Sequence, residues 1–482
     1  MRKRILIHIW LILILSLWGT GYLFPVMAQE TDAESGDIEA LGEAIFFDLN
    51  LSVTGTQSCA SCHDPATGFT GPDSIVNASG AVMEGSIKGR FGNRKPPSAS
   101  YAGDSPILYY DNEKEGWIGG MFWDGRATGW KLGDPMAEQA LGPFLNPLEQ
   151  GMPSARQVCI RVAHSEYAWL FEKVWGAGSL DYSKDPDAMY EKIARSIAAY
   201  EKSVEINPFT SRFDVFWDNA KSAGKDVTLI SAAGLGGGMG GGGMGGGGMG
   251  GGGMGGGGMG GGGGMGGGGN PENNPARWEH YRNLGLTDQE LMGLAAFNDP
   301  MRADCASCHA LTEGSAGYPL FTDFSYHNIG IPKNPENPFY SMPKKWNPDG
   351  HEWIDNGLGD FLKAVGFLPE FYETEIGKFK TPTLRNVDLR PSEDFVKAYG
   401  HNGFFKSLDA FDGIIHFYAW RAMMDNMGSG GGMGGGMGPD PNLFPSPEVD
   451  ANRIKMTPFN FMNDGENIVA FLKTLSDGYV AP

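Results

Sequence analysis

The chain has 482 residues, a formal net charge of −20 and 75 glycines, which is length enough for two to four domains. The glycine excess is local: residues 236–269 hold 28 of them in a GGGGM period and residues 428–438 hold 8 more, which excludes the Gly-X-Y repeat of collagen, while 12 Trp and 28 Phe exclude wholesale disorder. An excess of carboxylates this large repels phosphate backbones, so nucleic acid is excluded as a partner.

At the N-terminus Arg2, Lys3 and Arg4 precede an apolar run from Ile5 to about Phe24. Val26-Met27-Ala28 then places small residues before a cut at Gln29, so residues 1–28 read as an export signal. The apolar run approaches the ~20 residues that span a bilayer. A cleaved signal and an uncleaved membrane anchor therefore both stay open, with a periplasmic location in either case.

Ile38, Leu41, Ile45 and Phe46 form an amphipathic stretch just ahead of Cys59-Ala60-Ser61-Cys62-His63. The same pentapeptide recurs as Cys305-Ala306-Ser307-Cys308-His309. Two thiols one helical turn apart can add across the two vinyl groups of one haem, and the His beside them then reaches the iron as its proximal ligand. A redox CxxC or half of a zinc site needs no His directly after the second Cys, and neither predicts the pentapeptide twice. Two covalent haems c are expected, with His63 and His309 as iron ligands. Cys159, between Val158 and Ile160, reads as a small buried apolar residue.

No His occurs from Asp64 to Ala163. Helices fit residues 154–175 and 187–206. The Gly/Met tract follows, with Met239, Met244, Met249, Met254, Met259 and Met265 recurring nearly every five residues. Soft thioethers on such a chain could collect Cu(I), but a solvated linker over 236–276 is the favoured reading. Thr287 and Glu290 form a capping box ahead of Leu291, Leu294, Ala295 and Phe297. Ile468, Val469, Phe471, Leu472 and Leu475 close the chain at helical spacing. The expected fold is mostly α. Two cytochrome c-like haem domains, 29–235 and 277–482, carry long loops and Gly/Met-rich low-complexity insertions, the second at 428–438.

Further motifs carry a resemblance. They are Gly92-Asn93-Arg94, Phe122-Trp123-Asp124-Gly125-Arg126 and the run from Glu138-Gln139 to Leu148-Glu149. Thr381-Pro382-Thr383-Leu384-Arg385-Asn386, His401-Asn402-Gly403 and His416-Phe417-Tyr418 follow in the second half. In this order the chain resembles the bacterial di-haem cytochrome c peroxidase family, which includes MauG, from about residue 39 to 478. It departs from the family pattern at the two Gly/Met tracts, between Arg126 and Gln139, and between Leu408 and His416.

The resemblance implies reduction of H₂O₂ to water with electrons from a small cytochrome c or cupredoxin, or a MauG-like oxidation of a protein partner. A plain di-haem electron carrier is the reading from another class. By family match Glu149 is the acid–base carboxylate at the first haem, Gln139 positions peroxide and Trp123 relays electrons between the haems. Asn93 matches a side-chain ligand of Ca²⁺. Tyr418 matches the sixth ligand of the second haem, with Met423, Met424 and Met427 as alternatives. In many family members a His in the loop after the first motif blocks the peroxide site until the second haem is reduced. This chain lacks such a His, and Met83 alone could take its place. A homodimer is compatible with the family.

Overall fold

The computed structural model describes residues 32–231, 276–427 and 440–480. The export signal and both Gly/Met tracts lie outside the described residues. Helices dominate, and the only sheet among the described residues is two short antiparallel pairs. Tyr109–Asp111 pairs with Gly116–Ile118, and Tyr326–His327 pairs with Phe379–Lys380.

The two haem motifs each sit beside a pair of crossed helices. In the first half, helix Asp32–Phe46 crosses helix Pro186–Lys202. The crossing is so close at Gly42 that a Cβ there would lie 2.0 Å from the Ser196 carbonyl oxygen. Leu41, Ile45 and Phe46 pack with Ile193, Ile197 and Tyr200, all buried, in one apolar core. Helices Pro135–Ala140 and Ala155–Ala163 pack against the same long helix. Cys159 belongs to this core, fully buried, with its Sγ 3.3 Å from the Pro186 carbonyl.

The second half repeats the arrangement. Helix Asp288–Asn298 crosses helix Glu466–Lys473 at Gly293, where a Cβ would lie 1.9 Å from the Asn467 carbonyl. Leu291, Leu294 and Phe297 pack with Ile468, Phe471 and Leu472. The capping box at Thr287 forms as expected, Glu290 accepting from the Thr287 backbone N–H at 2.6 Å. Helix Arg212–Ser222 precedes the Gly/Met tract, yet its Phe213, Phe216 and Trp217 are buried in this second core. Packing therefore joins it to the second half rather than to the 29–235 unit.

The stretch 154–175, expected as one helix, is two. Ala155–Ala163 ends where the His164 and Ser165 backbones bond back to Arg161 and Val162, and Ala168–Trp175 restarts after a turn. Both side chains compete for the carbonyls of the same turn: His164 Nδ1 donates to Ile160 at 2.7 Å and Ser165 Oγ to Val162 at 2.8 Å.

Charged side chains tie the halves together. Arg94 forms a bidentate pair with Asp355 through Nε and Nη2, each at 2.7 Å, and reaches Asp124 through Nη1 at 2.6 Å. Within the second half, Arg385, wholly buried, pairs with Asp214 at 2.6 Å and so fixes helix Arg212–Ser222 there. Among the described residues no helix is long and apolar enough to cross a membrane.

Candidate functional site

Each CASCH motif opens as a single 3₁₀ turn, Cys59–Ser61 or Cys305–Ser307. The His backbone then closes the turn onto the first Cys, at 3.0 Å for His63 and 2.8 Å for His309. His63 Nδ1 donates to the Phe69 carbonyl at 3.0 Å, and His309 Nδ1 donates to the Phe321 carbonyl at 3.0 Å. Phe69 and Phe321 both adopt left-handed backbone conformations, φ 56° and 54°, which aims their carbonyls at the rings. This second pair of matching residues has no motif in the sequence. With Nδ1 engaged, Nε2 of each ring is the nitrogen left for a metal. Burial lowers the proton affinity of both imidazoles, so each is held neutral, the form that binds iron.

All four thiols are free. Burial pushes Cys62 up to about 12, Cys305 to about 12 and Cys308 to about 11, and raises Cys59 further. Neutral, unpaired thiols beside an anchored neutral imidazole, facing a cavity, are the donor set that a haem c requires. The first cavity, about 180 Å³, is bordered by Cys59, Cys62 and His63. The second, about 280 Å³, is bordered by Cys305, Cys308 and His309. The residues present therefore fit a haem c at both motifs.

The chain brings the expected residues of the first half to one cavity. Gln139, on helix Pro135–Ala140, and Glu149, in the loop after it, both border the first cavity, as do Asn93 and Met83. Glu149 keeps some exposure toward the cavity while protein encloses its carboxyl. Burial raises its proton affinity, opposed by the Arg126 charge and a hydrogen bond from Asn146. Trp123, 8 % exposed, borders both cavities, as does Lys95.

Tyr418, on helix Ile414–Met427, borders the second cavity, where burial raises its phenol pKa and the nearby Cys305 and Cys308 add to the rise. Met424 instead packs against the second core. A different methionine, Met456, borders this cavity from the loop after the second tract. It sits in Lys455-Met456-Thr457, which carries no periodic or motif signal. Asn93 accepts through its backbone from Asn337 at 2.9 Å. No group of three or more His, Cys, Asp or Glu among the described residues could hold a metal ion.

Two buried arrangements escaped sequence reasoning. Arg94, Asp124 and Arg126 lie within matched motifs, but only the fold joins them to Asp355. Glu201 borders the first cavity from helix Pro186–Lys202, 5 % exposed, and its position in an amphipathic helix reads only as a helix-end carboxylate.

Paired helical cores, each holding a CxxCH turn on the wall of a cavity, define a di-haem c protein. The profile of the family described as di-haem cytochrome c peroxidase matches residues 37–222. The methylamine utilization protein MauG of Paracoccus denitrificans is 29% identical over 390 residues, 80% of this chain and 76% of that protein. The cytochrome-c peroxidase IdrP1 of Denitromonas iodatirespirans is 22% identical over 408 residues, 83% of this chain and 76% of its own length. The crystal structure of the diheme peroxidase BthA from Burkholderia thailandensis superposes with a TM-score of 0.59 at 26% identity, covering 91% of this chain and 86% of that one. The chain thus resembles the di-haem cytochrome c peroxidases and MauG, the profile match lying in its first half.

Proposed function

We propose that this protein is an exported di-haem c peroxidase that reduces H₂O₂ to water with electrons from a small cytochrome c or cupredoxin. The observation that carries the reading is the meeting of Glu149 and Gln139 at the cavity of the first CASCH turn, with Trp123 shared between that cavity and the second. Haem at the first motif supplies the iron that takes peroxide, and haem at the second supplies electrons.

The chain's own residues do the rest. Gln139 holds peroxide by a hydrogen bond from its amide. Glu149 takes the proton from the inner peroxide oxygen and returns it to the outer one, so that the bond breaks with water leaving. Its enclosed carboxyl suits this work, because burial lets it hold a proton at higher pH than a surface carboxylate does. Trp123 passes electrons between the cavities. Tyr418 would be a further protein ligand of an iron at the second motif, and Asn93 would lend one oxygen to a calcium ion. His63 and His309 hold the two irons.

Two observations favour a second reading, a MauG-like oxidase acting on a protein partner. MauG of Paracoccus denitrificans shares 29% identity with this chain and the peroxidase IdrP1 22%, and a tyrosine rather than Met423 or Met424 faces the second cavity. Steady-state assay of the full-length protein with H₂O₂ and a reduced small cytochrome separates the two. Sustained oxidation of the cytochrome supports the peroxidase; peroxide consumption without it supports the protein-modifying enzyme.

A further inference from the structure

Reduction of one H₂O₂ to two H₂O breaks the O–O bond and consumes two electrons and two protons. The electrons come from the donor. Glu149 moves a proton from one oxygen to the other and adds none, so both protons must reach the cavity from solvent.

A second buried carboxyl stands on the same cavity. Glu201 occupies the last turn of helix Pro186–Lys202, one turn beyond Ile197, and both border the cavity. No side chain among the described residues hydrogen-bonds its carboxyl. Its charge is the strongest felt at Cys59, with Glu149 also felt there and at Cys62. Both carboxyls therefore lie near Cys59. Gln150 borders the same cavity, 3 % exposed, with its amide Nε2 3.8 Å from Cys59 Sγ and its Oε1 a buried acceptor without a partner. Gln57 Oε1, on the same cavity, is a second such acceptor. Buried unpaired acceptors on a polar cavity wall are where ordered water binds.

Glu201 adjoins a partly exposed ion pair in the chain. Its chain neighbour Lys202 pairs with Asp134 at 2.5 Å, with side chains 38 % and 22 % exposed. Burial raises Glu201 to about 8, with Lys202 opposing and Asp134 adding to the rise, so near neutral pH it is a proton donor that reloads from solvent.

We propose that Glu201 is the proton-entry residue of the first cavity, loading beside the Lys202–Asp134 pair and passing protons, through water bound at Gln150 Oε1, to Glu149. This rests on the peroxidase reading above. Glu201 touches neither peroxide nor iron and acts through Glu149.

The test uses the full-length holoprotein, fully reduced, mixed with one equivalent of H₂O₂ while a pH-indicator dye reports proton uptake and absorbance reports haem oxidation. The wild type takes up two protons per peroxide. Glu201→Gln keeps normal haem content and spectra but takes up protons about tenfold more slowly or worse, the range for loss of a proton-transfer group, with a larger solvent deuterium effect. Glu201→Asp recovers most of the rate. In the resting protein, without peroxide, an exchangeable infrared carbonyl band of a neutral carboxylic acid is present in the wild type and absent from Glu201→Gln. Wild-type proton uptake in Glu201→Gln, equal slowing in Gln and Asp variants, or no loss of the band overturns the proposal while leaving the peroxidase reading intact. A wild-type protein that peroxide does not oxidise overturns both.

Discussion

Trp123 donates its indole N–H to the backbone carbonyl of Lys95 at 2.9 Å, and both residues border both cavities. The Trp123 carbonyl in turn accepts from the Lys380 backbone at 2.9 Å. The indole is thereby held between the halves by groups from each. Trp123→Phe keeps a ring in place but removes the N–H, leaving the Lys95 carbonyl unpaired at a cost of about 1–3 kcal/mol. Peroxide should still react at the first haem of this variant, while electron delivery from the second slows. Stopped-flow traces in which the second haem is oxidised as fast as in the wild type would remove Trp123 from the electron path.

Glu149→Gln preserves shape and hydrogen-bonding capacity but cannot shuttle a proton. Peroxide turnover should fall roughly 10²–10⁴-fold, the contribution of one general acid–base group, with haem content unchanged. A fall smaller than about threefold sinks the assignment.

The first iron should be reactive without prior reduction. His63 is the only histidine that borders its cavity among the described residues, and the loop side chain there is Met83, a thioether that binds ferric iron weakly. Electron paramagnetic resonance of the air-oxidised protein should show one high-spin ferric haem. Two low-spin haems, with peroxide reacting only after one-electron reduction, is the opposite result. The same high-spin signal excludes the plain electron-carrier reading.

The helix crossings tolerate no side chain at their centres. Gly42→Ala and Gly293→Ala should each destabilise by about 1–3 kcal/mol or more, because the methyl meets backbone that cannot swing aside. Gly36, in the same helix as Gly42, has open space where an alanine methyl would stand, with nothing within 4 Å. Gly36→Ala should therefore gain up to about 1 kcal/mol from helix propensity. Melting temperatures of the three variants check the contrast; equal shifts for Gly36 and Gly42 contradict it.

Acid should loosen the joint between the halves. Burial alone would raise Asp124, but the Arg94 and Arg126 guanidiniums outweigh it and hold the carboxyl at about 2. Burial likewise opposes, and Arg94 overcomes, the shift at Asp355, which is also lowered. Folded values below the unfolded ~3.9 mean stability present in full above about pH 4 and lost as pH falls toward about 2. Arg94→Leu strands the buried Asp355 and leaves Asp124 with Arg126 alone, costing about 3–5 kcal/mol at neutral pH, and it should lose less on acidification than the wild type. Parallel acid-unfolding curves for the two proteins would show that the pairs do not report this titration.

Much of this protein is readable in the chain itself. A haem c attachment motif is encoded within one helical turn, so spacing alone points to Cys59–His63 and Cys305–His309, and the apolar periodicity around Leu41 and Leu294 announced the helices beside them. Resemblance picked out Gln139 and Glu149 but assigned no role to Arg94 or Asp124. Other features are contacts between residues distant along the chain, which have no periodic signature. Phe69 and Phe321 aim their carbonyls at the two imidazoles through left-handed backbone that nothing about a phenylalanine announces. Glu201 reaches the cavity because Gly42 lets two helices touch, and Met456 reaches the other cavity from a loop. Arg94 finds Asp355 only when the halves close on each other. Local covalent and helical preferences are set by neighbours a few residues apart; the cavities, the buried ion pairs and the shared Trp123 are set by which surfaces the folded helices bury together.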